Sequence, residues 1–276
     1  MARLHSSLIL LFLCSLSRLG FCERAEQEGR DEVSKPLYPT HFVYQNTGHG
    51  IGSSFSLQYE LGYGSRESRN FTQEGIEQGV RSRLQVQDWL ALEAFGGLVI
   101  DTTKTETKGY AGSFEVIGRL LSQNKHHLNL DLGGGYIYDY RGDHVPRVRL
   151  TLSYTYKKLD MALGSLVEIP VGSAGRDEAD VVTTLAFSYG FKNWLRLGLE
   201  TGLEDIEGFF ESEEAEGGAK TIFGPTLAII ATKNIYLKLN TAGIYAFTSN
   251  QKFEGNRRKP DAFGFLGRLV LGWTFY

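Results

Sequence analysis

Residues 147–156 read Arg-Val-Arg-Leu-Thr-Leu-Ser-Tyr-Thr-Tyr. Arg147, Arg149, Thr151, Ser153 and Thr155 fall on one side of a two-residue period, and Val148, Leu150, Leu152, Tyr154 and Tyr156 on the other. An extended chain turns successive side chains to opposite faces, so the stretch is a strand with one polar and one apolar face. The same period recurs on either side of it. Val80, Leu84 and Val86 oppose Arg81, Arg83, Gln85 and Gln87; Leu128, Leu130 and Leu132 oppose Asn129 and Asp131. Leu159, Met161, Leu163, Val167 and Ile169 oppose Asp160 and Glu168; Leu195, Leu197 and Leu199 oppose Arg196 and Glu200; Ile235, Leu237 and Leu239 oppose Lys238 and Asn240. No segment beyond the N-terminal leader keeps a helical period over three turns.

Composition agrees with an all-β body. Glycine accounts for 33 of the 276 residues, well above the usual share of about 7%. Proline is scarce at 6, and aromatics make up 12%. Basic and acidic residues nearly balance, 29 against 32, which excludes the bulk basicity of a nucleic-acid binder.

The connections between alternating segments are short and long by turns. Tight ones are expected at Gln87–Asp88, Asn124–Lys125, Lys157–Lys158, Lys192–Asn193 and Lys233–Asn234. Longer polar ones are expected near 64–73, 101–109, 140–145, 171–179, 205–218 and 248–261. Five short and six long connections join twelve strands and leave both chain ends on the short-turn side. That is the layout of a twelve-stranded antiparallel transmembrane β-barrel with both termini periplasmic.

A soluble barrel hides its apolar face inside, whereas a membrane barrel turns it to lipid and lines its lumen with the polar one. The polar faces here carry full charges in mid-strand: Arg81, Arg83, Glu93, Glu115, Arg119, Asp131, Arg147, Arg149, Asp160, Glu168, Arg196, Glu200, Lys238 and Arg268. Read as lumen-lining, this set has eight basic and six acidic members. Aromatics gather at strand ends, as in interfacial girdles: Tyr59, Tyr63, Trp89, Tyr136, Tyr138, Tyr154, Tyr156, Tyr189, Trp194, Tyr236, Tyr245 and Phe247. A closed barrel satisfies its backbone in lipid without long apolar runs, consistent with a mean hydropathy of −0.21.

The N-terminus reads as a cleaved signal peptide over 1–22. Arg3 precedes the apolar core Leu8–Leu16, and Gly20 and Cys22 stand three and one residues before a cut after Cys22. A core this short is well below the roughly 20 residues that span a bilayer. Cleavage removes Cys14 and Cys22, the two cysteines of the chain, so the exported part holds no disulfide, thiolate nucleophile or cysteine zinc site. Residues 23–40, with Arg24, Glu26, Glu28, Arg30, Asp31, Glu32 and Lys35, read as a flexible periplasmic tail. The barrel is expected over 41–276.

At the other end, Leu269-x-Leu271-x-Trp273-x-Phe275 and the terminal Tyr276 resemble the C-terminal β-signal of bacterial outer-membrane β-barrel proteins. In this chain the alternation ends at Phe275 and Tyr276 is one aromatic more. The resemblance implies residence in the cell outer membrane, contact with its lipid and lipopolysaccharide, and insertion by the barrel-assembly machinery, which reads these residues.

Motifs with possible chemistry read mostly as structure. His126-His127-Leu128-Asn129 lacks the Ser that a phospholipase-type barrel places two residues after its His. Asp139, Asp143 and His144 lack a facing acidic pair for an omptin-like site. Arg141-Gly142-Asp143 reads as a polar turn, and Asn70-Phe71-Thr72 fits a glycosylation acceptor with no use in this setting. Gly48-x-Gly50-x-Gly52 and Gly133-Gly134-Gly135 read as backbone curvature. Asp205, Glu207, Glu211, Glu213, Glu214 and Glu216 form an acidic loop able to meet divalent cations or lipopolysaccharide, opposite the basic Lys252, Arg257, Arg258 and Lys259. No cofactor, metal or catalytic residue is expected. The sequence points to a porin-like channel or passive transporter for small hydrophilic solutes. A non-conducting barrel with a surface-binding or structural role is the alternative, and a membrane-embedded hydrolase the third.

Overall fold

A computed structural model describes residues 53–65, 75–101, 108–138, 144–169, 171, 180–204, 220–246 and 263–276. The leader and tail expected over 1–40, the triplet Gly48–Gly52, Asn70, Asp139–Asp143, Phe247 and the acidic and basic loops lie outside the described residues. Twelve strands close into one barrel in which each pairs antiparallel with its sequence neighbours and β1 pairs with β12. They are β1 (Ser54–Ser65), β2 (Gly75–Gln87), β3 (Leu90–Asp101), β4 (Lys108–Leu121), β5 (Asn129–Tyr138), β6 (His144–Tyr156), β7 (Leu159–Glu168), β8 (Asp180–Lys192), β9 (Leu195–Glu204), β10 (Lys220–Ile230), β11 (Ile235–Ala246) and β12 (Phe263–Phe275). The closing pair runs from Phe55↔Phe275 to Ser65↔Phe265, so no edge is left.

The five short connections lie at one end of the barrel, where β1 begins and β12 finishes. Two are displaced by a residue from the sequence expectation, to Asp88–Trp89 and Asn193–Trp194. The cause is a register shift just before each, between Gln85 and Gln87 and between Gly190 and Lys192. A bulge spends one extra residue without advancing the ladder. The connection after β4 holds a single helical turn, α1 (Gln123–His126), closed by His127 at φ 66°. At Lys157–Lys158, Lys157 takes φ 53°, the other non-glycine residue with positive φ among those described.

Burial alternates along the strands, and large apolar residues dominate the exposed parity. Val80, Val148, Leu197 and Leu199 are 43–50% exposed, while Gln58, Glu93, Thr151 and Asn240 are almost wholly buried. In a closed barrel the buried set faces inward, so the exposed apolar set forms the outer surface. That is the arrangement of a barrel whose solvent is lipid. Tyr236 departs from its expected place in the aromatic girdle. It is buried on the inner face, because it shares the parity of Lys238 and Asn240. Its ring covers Gly272, its direct partner on β12, where a Cβ would lie 2.1 Å from a ring carbon. Glycine is required there by close approach rather than by backbone angle.

Candidate functional site

The inner face is built by twelve strands contributing every second residue, which makes it the place where polar chemistry concentrates. The fourteen charged residues singled out in the sequence all sit on it, buried or partly buried. Two further acids, Glu60 and Glu77, share this face. Their parity made them legible: Glu60 alternates with Tyr59 and Leu61, and Glu77 lies between Ile76 and Gln78. With them the described inner face has eight acids against eight bases, and the basic excess of the shorter set disappears.

The charges are brought together mainly on the wall from β1 to β6. Arg81 donates from Nε to Glu60 Oε1 at 2.6 Å and from Nη1 to Glu93 Oε1 at 2.7 Å, while Arg83 Nη1 reaches Glu93 Oε2 at 3.4 Å. The Arg81 guanidinium also lies 4.9 Å from the centre of the Phe95 ring. Arg149 holds Glu115 with two donors, Nε at 3.0 Å and Nη2 at 2.8 Å. Arg147 adds a third at 3.3 Å and stands 4.0 Å from Glu168. Arg119 forks onto Asp131 at 2.9 and 3.3 Å. Elsewhere Arg268 meets Glu77 at 3.0 Å and Arg196 pairs with Asp160, which also accepts from Thr155 Oγ1 at 2.8 Å. Buried charges require such partners, since desolvation costs several kcal/mol per ion.

The wall from β9 to β12 is different. Thr226 donates its hydroxyl proton to Glu200 and accepts from Asn240 Nδ2 at 2.9 Å. Lys238 Nζ lies 5.1 Å from the centre of the Tyr236 ring. Ser56 Oγ, Thr151 Oγ1, Ser188 Oγ and Thr274 Oγ1 are buried on the inner face without a hydrogen-bond partner among the described residues.

Near the long-connection end the inner face turns apolar. Ile222 on β10, Ala242 and Ile244 on β11 and Leu266 on β12 form a buried cluster, and Val99 of β3 packs against it. Ala111, Val145 and Val182 are buried near the same ends of their strands. The band is hard to see in the sequence because its residues interrupt the polar alternation rather than extend it.

Of the motifs weighed for catalysis, His126 and His127 are exposed in the α1 turn. His144 begins β6 on the outer face and rests against the rings of Tyr136 and Tyr138. The residues named for an assembly signal follow the outward parity of β12: Leu269, Leu271, Trp273 and Phe275 point away from the lumen, with Tyr276 exposed behind them. Phe275 stacks on Phe55 with centroids 6.2 Å apart.

No family model matches the sequence, and no curated protein is similar to it in sequence. The fold is that of bacterial outer-membrane porins. The chain superposes on the KdgM porin in complex with disordered oligogalacturonate with a TM-score of 0.55 and 10% identity, over 80% of this chain and 99% of that one. It superposes on the NanC porin with a TM-score of 0.55 and 12% identity, over 79% and 98%. An outer-membrane channel from Pseudomonas putida F1 gives 0.55 and 13%, over 82% and 96%. At such identities the likeness is one of fold.

Proposed function

We propose that the chain is a porin-like channel or passive transporter for small hydrophilic solutes in the bacterial outer membrane. Its path is lined by Arg81, Arg83, Glu93, Glu115, Arg119, Asp131, Arg147, Arg149, Asp160, Glu168, Arg196, Glu200, Lys238 and Arg268. The observation that carries this reading is the inverted barrel: apolar outside, polar and ion-paired inside, with inward hydroxyls that have no partner among the described residues. Buried polar groups of that kind are satisfied by water or by a passing polar solute. The porin fold supports the same reading.

Export through a cleaved leader, periplasmic chain ends, and insertion through Leu269, Leu271, Trp273, Phe275 and Tyr276 complete the proposal. Lipid and lipopolysaccharide are the expected surroundings. Single-channel conductance in planar bilayers is the test. The parent should conduct, and replacing both Arg147 and Arg149 by Glu should shift selectivity toward cations through the local field in a narrow aqueous path.

A second reading, a non-conducting barrel with a structural or surface-binding role, is favoured by the density of ion pairs on the β1–β6 wall. A silent parent together with severe destabilisation of the double variant would establish it instead.

A further inference from the structure

The apolar band at the long-connection end runs against the rule that a barrel lumen is polar. Its residues come from two separate stretches of the wall. Ile222 and Ile244 are direct partners across β10 and β11, as are Ala242 and Leu266 across β11 and β12. Val99, however, belongs to β3, and β1 and β2 stand between it and β12. Those two strands present Gly62, Gly64, Gly75 and Gly79 inward. They also present Glu77 inward as the direct partner of Val99, and its carboxylate and the Arg268 side chain lie over Gly62. The paired charges of Arg268 with Glu77 adjoin the contact, and those of Arg81 with Glu60 lie further toward the short turns.

Resting on the channel reading, we propose that the contact of Val99 with Ile222, Ala242, Ile244 and Leu266 is the selective constriction of the path. Aliphatic side chains hold water poorly, and a narrow apolar constriction gates by dewetting. A hydrated inorganic ion must shed water against these side chains, which offer it no partner in exchange. A solute with an apolar face beside its charge loses less: its hydrocarbon part fits the collar while its charged group reaches the ion pairs below. The solute class is therefore small amphiphilic ions, with simple inorganic ions held back.

Butanesulfonate, an anion at all working pH values with a short alkyl chain, is the probe. Full-length protein in planar bilayers would be compared as the parent, a collar variant (Val99→Ser with Leu266→Ser), a charge-band variant (Arg83→Gln with Arg149→Gln) and their combination. Heat-modifiable gel mobility reports folding, and Val99→Thr, of nearly the same shape, serves if the double collar variant fails to fold. The expected result is a several-fold rise in KCl conductance of the collar variant and a fall in the permeability ratio of butanesulfonate to chloride read from reversal potentials. A folded collar variant that matches the parent in both measurements overturns the proposal. If the charge-band variant then conducts better, the constriction lies among the ion pairs and the channel reading stands. A rise in conductance with an unchanged ratio also overturns it, leaving a steric plug. Silence of all four proteins removes the channel reading and this inference with it.

Discussion

Arg149 and Glu115 meet over a strand that belongs to neither. Arg149 projects from β6 and Glu115 from β4, yet Nε and Nη2 of one lie 3.0 and 2.8 Å from the two carboxylate oxygens of the other. The strand between them, β5, puts Gly133 beneath the pair, where a Cβ would come within 2.9 Å of Glu115 Oε1. Arg147 shares the same carboxylate, so a single fully buried acid holds two guanidinium groups.

Glu115→Gln should therefore be among the most damaging isosteric changes on the inner face. It leaves Arg149 without its fork and Arg147 with Ser113 Oγ and the distant Glu168. Removing one partner of a buried pair costs about 3–5 kcal/mol. Urea unfolding in lipid should show Glu115→Gln far below the parent, and a loss under about 1 kcal/mol would mean water already screens the group.

Gly133→Leu should reproduce much of that loss by a different route, because its side chain occupies the space through which Glu115 reaches Arg149. Gly133→Ala meets a movable carboxylate oxygen and should be milder. The substitutions Gly133→Leu and Glu115→Gln should be less than additive in a double-mutant cycle, since both break one contact.

On the outer face, Leu199 is exposed to the surroundings near the middle of β9. Leu199→Arg should destabilise the barrel by about 2–4 kcal/mol in a bilayer, the cost of a charge at the midplane of a transmembrane strand. Leu199→Ala should cost less. An equal or reversed order in bilayer unfolding measurements would contradict the assignment of this face to lipid.

The Tyr236 ring and Gly272 form a matched pair within the lumen. Gly272→Ala should lower the thermal midpoint, because the ring has no clearance and overpacking costs about 1–3 kcal/mol. Tyr236→Ala made in the Gly272→Ala background should recover part of the lost midpoint.

Topology can be read with single cysteines, since residues 23–276 hold none of their own. With the short turns periplasmic, Lys157→Cys should resist a membrane-impermeant maleimide on intact cells and react after the outer membrane is opened. Glu211→Cys, in a long connection, should react on intact cells. The opposite pattern would invert the barrel.

Strand existence, strand number and the facing of each charge were legible in the sequence. Side-chain direction in a strand depends on parity alone, a local property that Val148 and Arg149 declare between themselves. Even Tyr236 could have been placed inside by its parity with Lys238; the weight given to aromatic girdles misplaced it. Glu60 and Glu77 were legible in the same way. What the tertiary structure alone decided is which inner residues meet. Arg149 finds Glu115 two strands away, and Val99 packs against the cluster of β10 to β12 past two intervening strands. Those contacts depend on closure of the barrel, on the register of each pair and on the register shifts before three of the short connections. Because they join residues far apart in the chain, no local period in the sequence encodes them.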